Sequence, residues 1–179
     1  MGSLKKILLP TDLSKRSVDG LMMAYPLAAE KGAVLILLHV VSKQRIEEFS
    51  DTQTVLGEIR SPRWTVDRII QEAALDLSCF VEQHQELLRI PVVRKKVLFG
   101  EVSQRIIEEA GKEAVDLVII TPCAHKRLRG FFCKSVTDQI IREAPCPVLL
   151  VSSSIKKGRW WGKLVPSLTF LLRRAAATI

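Results

Sequence analysis

Five short aliphatic runs, separated by stretches of helical periodicity, constrain this chain more than anything else in it. The runs are Ile7-Leu8-Leu9, Ala33 to Val41, Val92 to Phe99, Leu117-Val118-Ile119-Ile120 and Val148-Leu149-Leu150-Val151. Most are apolar at consecutive positions, the pattern of strands covered on both faces. The third is the exception: Val93, Lys95 and Val97 fall on one face and Arg94, Lys96 and Leu98 on the other, which predicts an edge strand. Between the first two runs, Val18, Leu21, Met22, Tyr25 and Ala29 recur at helical spacing. Asp12 or Ser14 is the expected cap, Pro26 an expected kink and Gly32 the stop. Residues 42–63 read as an irregular, charged loop. A long helix follows from Thr65, with Ile69, Ile70, Ala73, Leu77, Phe80, Val81, His84, Leu87 and Leu88 on one stripe. Gly100-Glu101 opens the next helix, which turns Val102, Ile106, Ile107 and Ala110 inward, and Ser135 to Glu143 reads as the last. Strand–helix alternation of this kind predicts one parallel sheet with helices on both faces, joined by right-handed crossovers.

The 179 residues suffice for one sizeable core, placed here in residues 1–154, with residues 155–179 as an extension. The net charge of +8 argues for nucleic-acid binding only until it is located. Residues 155–179 hold Lys156, Lys157, Arg159, Lys163, Arg173 and Arg174 and no acid, so six of the eight charges belong to the extension. The nearly neutral body is not a duplex-binding surface, and no nucleic-acid partner is expected. Trp160-Trp161, the cations and Leu164, Leu168, Leu171 or Leu172 and Ala175 on one helical face suit contact with a membrane surface. Docking on the chain's own domain or on a partner, or a loose end, are the competing readings. No apolar run reaches the roughly 20 residues of a membrane span. Met1 to Lys6 lead into the first strand without a secretory pattern, so the expected location is cytoplasmic, with membrane contact only peripheral. Cys79, Cys123, Cys133 and Cys146 show no paired spacing and read as reduced thiols.

Sites in folds of this class lie beyond the carboxyl ends of the strands, here after Pro10, at Val40 and after Thr121. Cys123-x-His125 with Cys133 matches no common zinc spacing, so no metal is expected. No nucleophile motif such as Gly-x-Ser-x-Gly is present, and His39 and His84 read as packing residues; catalysis is not expected.

In order, Ile7-Leu8-Leu9-Pro10-Thr11-Asp12-Leu13-Ser14, Leu37-Leu38-His39-Val40-Val41, Gly100-Glu101, Asp116-Leu117-Val118-Ile119 and Ala144-Pro145-Cys146-Pro147-Val148-Leu149-Leu150-Val151 resemble the universal stress protein family. The resemblance spans residues 4–152 and implies a flavodoxin-like, doubly wound five-stranded sheet in the order 3-2-1-4-5. Its nucleotide-binding members carry Gly-x2-Gly-x9-Gly-Ser/Thr after the fourth strand, which lets backbone amides close on ribose and phosphates. The corresponding positions here are Thr121, Ala124, Lys134 and Ser135: the spacing is kept and all three glycines are replaced. The resemblance therefore implies a non-catalytic stress-response or signalling module that acts through protein contacts without a bound cofactor, since side chains at the three positions would crowd a nucleotide. The alternative is an ATP or AMP sensor in which the basic residues Lys126, Arg127, Arg129 and Lys134 compensate. Its binding residues would be Pro10, Thr11, Asp12, Val40, Thr121, Ala124, Lys134, Ser135, Val136 and Thr137. Asp12, Ser135 and Thr137 are equally explained as helix-capping or first-turn residues. The family pairs through its last strand, which implies a homodimer seam at Val148, Leu149, Leu150 and Val151, with a protein partner still to be identified. A third reading recruits the domain to a membrane or transporter through residues 156–179.

Overall fold

The computed structural model describes residues 3–43, 62–84, 93–121 and 132–151. Five strands, β1 (Lys6–Pro10), β2 (Val34–Val41), β3 (Val93–Phe99), β4 (Leu117–Ile120) and β5 (Val148–Leu150), form one sheet in the order β3-β2-β1-β4-β5. Every pairing is parallel, with Leu8 beside Ile36, Leu35 beside Val93, Ile7 beside Leu117 and Val118 beside Val148. The described helices are α1 (Ser17–Lys31), α2 (Pro62–Gln83), α3 (Val102–Lys112) and α4 (Phe132–Glu143).

Period-two alternation divides the strand residues between two cores. Ile7, Leu9, Leu35, Leu37, Leu117 and Ile119 pack with Leu21, Ala24, Leu27, Ala28, Leu77 and Phe80 on the α1–α2 side. Leu8, Ile36, Leu38, Val118 and Ile120 pack with Ile106, Ala110 and Ile140 on the α3–α4 side. Each fully buried Leu or Ile contributes roughly 1.5–3 kcal/mol of transfer free energy, so both layers are needed to hold the central strands.

Several local expectations shift. No side chain caps α1; Arg16 precedes it without a capping bond, and Asp12 and Ser14 act one turn earlier. Pro26 removes one backbone donor, yet α1 runs through it as a single helix and ends at Gly32 in the left-handed region. The helix α2 starts at Pro62, not Thr65, because proline suits a first helical position. The helix α4 starts at Phe132, which puts Lys134 and Ser135 in its first turn and overturns Ser135 as the cap. Residues 44–61 of the charged loop, Leu87, Leu88, Ala124, Lys126, Arg127, Arg129 and the extension from residue 152 lie outside the described residues.

The strand β3 forms one edge, with Arg94 and Lys95 exposed, as its alternation predicts. Lys96 turns inward from it to pair with Glu109, 4% exposed on α3, and with Glu113; Lys6 and Arg94 also reach Glu113. The strand β5 forms the other edge. There Leu150 is 46% exposed, Val148 and Leu149 are half-buried, and Val151, just past the strand, is buried in the core.

Candidate functional site

At the carboxyl ends of β1, β2 and β4 the two helical layers part, and a cavity of about 670 Å³ opens between them. Its α3–α4 side is apolar, from Leu38, Val40, Val102, Ile106, Ile120, Val136 and Ile140. The polar residues of its lining are Thr11, Asp12, Ser17, His39, Ser42, Lys43, Glu101, Thr121 and Thr137. Of the ten nucleotide-contact candidates, Pro10, Thr11, Asp12, Val40, Thr121, Val136 and Thr137 meet at this wall. Lys134 and Ser135 are placed only by their backbone in α4, and Ala124 falls outside the described residues.

The turn after β1 is built by its own side chains. Thr11 donates its backbone N–H to the Leu38 carbonyl at 2.8 Å, and its Oγ1 accepts from the Leu13 N–H at 3.0 Å. Oδ1 of Asp12 accepts from the Ser14 N–H and from the Ser17 hydroxyl, while Ser17 Oγ accepts from the Asp12 N–H at 3.2 Å. Burial pushes the Asp12 carboxyl up, but the hydrogen bonds from Ser14 and Ser17 together outweigh it, and the group sits below the ordinary 3.8. Leu13 holds φ at +61°, a left-handed conformation that leucine adopts only under constraint; its packing on the α1–α2 core supplies that constraint.

Beyond β3, Gly100 takes φ +144°, which favours glycine, and donates its N–H to the Val41 carbonyl at 3.0 Å. Glu101 then caps α3, its carboxylate accepting from the N–H groups of Ser103 and Gln104 and from the Ser103 hydroxyl. Burial raises this carboxyl and the bonds from Gln104 and Ser103 lower it further, so it stays ionised at the first turn of α3. That helix terminus is filled by the chain itself.

Thr121, the first of the replaced glycine positions, sits differently from the sequence expectation. Its Oγ1 lies 2.4 Å from where a Cβ on Gly20 of α1 would be, so the hydroxyl is turned to the α1 side and not into the cavity. The parity of β4, with Leu117 and Ile119 on that same side, is the sequence signal that could have shown this. Oγ1 of Thr121 and Nε2 of His39 are both buried with no partner among the described residues, at a cost of about 1–3 kcal/mol each. His39, expected to be a packing residue, is a buried residue of the cavity's lining whose Nδ1 lies 2.8 Å from the Thr11 carbonyl oxygen. His84 does pack, its ring against Phe80 and its Nδ1 2.7 Å from the Phe80 carbonyl.

No group of three or more metal-ligating side chains occurs among the described residues, and the Cys123, His125 and Cys133 side chains are not among them. No described helix is long and apolar enough to cross a membrane.

Comparison with known proteins agrees with this architecture. Universal stress protein MJ0577 of Methanocaldococcus jannaschii is 26% identical over 153 residues, covering 82% of this chain and 94% of its own. A universal stress protein in complex with cAMP superposes at a TM-score of 0.59 and 17% identity, over 86% of this chain and all of the other (100%). The universal stress protein of Archaeoglobus fulgidus in complex with dAMP superposes at a TM-score of 0.56 and 19% identity, over 84% and 99%. The Universal stress protein family matches residues 3–152, and this chain belongs to it.

Proposed function

We propose that this chain is a non-catalytic stress-response module whose cavity takes an adenine nucleotide of the monophosphate class and which answers through protein contacts. One observation carries the reading. At position 121 the Thr121 hydroxyl is directed at α1, which leaves the cavity at the ends of β1, β2 and β4 clear of that group. Family members of the same fold are described in complex with cAMP and dAMP, which fits a cavity of this placement. Binding is favoured over catalysis because the candidate acid–base groups have structural duties: Asp12 closes its turn, Glu101 caps α3, and Nδ1 of His39 serves the Thr11 carbonyl. Titration calorimetry of the full chain with AMP, beside mass spectrometry of natively purified protein, tests this. A saturable heat or a co-purified nucleotide is expected; a flat titration with no co-purified nucleotide refutes it.

A second reading, a module that works through protein contacts alone, is favoured by the edge at β5, which pairs with no further strand among the described residues. Leu150 is 46% exposed there and Ile141 of α4 is 47% exposed. Pairing of two copies along this edge would cover the open backbone groups of β5. Sedimentation of wild type against Leu150→Lys is expected to show a dimer that the substitution converts to monomer; equal sedimentation refutes the seam.

A further inference from the structure

Attachment and charge together restrict what the basic, tryptophan-bearing residues 155–179 can bind. Val151, 3% exposed, donates its N–H to the Ile120 carbonyl at 2.8 Å. The chain therefore leaves the core at the carboxyl end of the sheet, where Ile120 also lines the cavity. Ser152-Ser153-Ser154-Ile155 span at most about 14 Å before Lys156. Six of the chain's eight net charges follow, with no acid among them, and the body is left near neutrality. Its carboxylates are largely committed. Glu72, Glu108, Glu109 and Glu113 pair with the domain's own cations, while Glu101 and Asp116 accept from its backbone N–H groups. The domain thus offers six cations little counter-charge, and an anionic partner from outside fits them better.

Charge alone does not choose among anionic partners; the apolar residues do. Trp160-Trp161 stand between Arg159 and Lys163, and Leu164, Leu168, Leu171 or Leu172 and Ala175 recur at helical spacing around Arg173-Arg174. A nucleic acid takes cations and stacked rings but gains nothing from aliphatic side chains. The boundary of a bilayer takes all three, with tryptophan and cations at the headgroups and leucine below them. Leu164 to Leu172, interrupted by Pro166, fall well short of the roughly 20 residues of a span. We propose that residues 156–179 bind the surface of an anionic lipid bilayer and hold the cavity-bearing end of the domain close to the headgroups. This goes beyond the nucleotide reading and does not depend on it.

The test sediments the full chain with vesicles of phosphatidylcholine alone and with vesicles containing about 30% phosphatidylglycerol. Wild type is expected on the anionic vesicles, with partition falling as NaCl rises from about 0.1 to 0.5 M, and scarcely on the neutral ones. Replacing Lys156, Lys157 and Arg159 together by Gln should weaken that partition about 100-fold, roughly fivefold for each charge. Trp160→Ser with Trp161→Ser should weaken it about tenfold or more. In a Trp64→Phe chain Trp160 and Trp161 are the remaining tryptophans, and their emission should move to the blue when anionic vesicles are added. Emission already blue and shielded from acrylamide before lipid is present, and unchanged by it, would place the pair on protein and overturn the inference. Equal partition onto the two vesicle types would overturn it too, as would equal partition of wild type and the triple variant. Release from the vesicles by a single-stranded oligonucleotide at equal phosphate concentration would overturn it in favour of a nucleic-acid partner.

Discussion

Gly20→Ala is the substitution that most directly tests how the site is built. An alanine Cβ there would stand 2.4 Å from Oγ1 of Thr121 and 3.1 Å from Cδ1 of Leu9, but 3.8 Å from Cβ of Thr121. The collision is therefore chiefly with one hydroxyl, with a second, tight contact at the end of the Leu9 side chain. Overpacking of this kind costs about 1–3 kcal/mol, while alanine in place of glycine within a helix gains about 1 kcal/mol. In wild type the two nearly cancel or leave a loss of up to about 2 kcal/mol. In a Thr121→Ala background the hydroxyl is gone and only the tight contact with Leu9 Cδ1 remains, to which that methyl must yield by a few tenths of an ångström, so the same Gly20→Ala should be neutral or stabilise by up to about 1 kcal/mol. The coupling between the two positions is then about 1–3 kcal/mol. Urea unfolding of the four proteins of the cycle measures it from shifts in midpoint at constant slope. Thr121 can escape the clash only by rotating, which brings another of its atoms round toward the cavity, so Gly20→Ala in wild type should also weaken AMP binding. If Gly20→Ala has the same effect in both backgrounds, within about 0.5 kcal/mol, the hydroxyl is not where the argument puts it.

Asp12→Asn should destabilise at neutral pH. Because the folded carboxyl lies below 3.8, its contribution is present above that value and fades as pH falls through the folded value. The penalty measured by thermal unfolding should therefore shrink toward zero in strong acid; a penalty independent of pH would contradict the assignment. Lys96→Met should cost about 3 kcal/mol in urea unfolding, since it leaves Glu109 buried without its counter-charge, and adding Glu109→Gln should recover much of it. The hydrogen bonds to Glu109 and Glu113 raise Lys96 above 10.5, so the wild-type contribution is complete below that pH and is lost as pH climbs through the folded value. Ala114 follows α3 with φ +47°, a position glycine prefers, and Ala114→Gly should raise stability by about 1 kcal/mol; a loss would show that the alanine side chain has an unseen role.

Local pattern made the fold legible. Runs such as Leu117 to Ile120 must be strands shielded on both faces, and the alternating Val93 to Leu98 had to be an edge. The family resemblance supplied the strand order, which periodicity alone does not contain. At the site, Pro10, Thr11, Asp12 and Val40 line the cavity because they end or follow strands, and strand ends are readable. At Thr121 the count of missing glycines predicts an obstruction, while strand parity directs the hydroxyl to α1, where it lies. The hydrogen bonding of His39 is hidden: an aliphatic strand with one histidine looks like packing, and only coordinates show that the Thr11 carbonyl takes one ring nitrogen while the other has no partner among the described residues. The Lys96–Glu109–Glu113 cluster was equally opaque, since its partners are 13 and 17 positions apart and meet only through the crossover.

A flat ribbon of strands has two open borders, and a subunit sticky on both would grow without limit. Here one border displays Arg94 and Lys95 and the other displays Leu150. Like charges oppose the first meeting a copy of itself, so on the proposed seam at β5 lateral growth would have a single port and would halt once that port is shut. Polarity between the two rims would then act as a chain terminator, a safeguard against fibre formation independent of whether the cavity is filled.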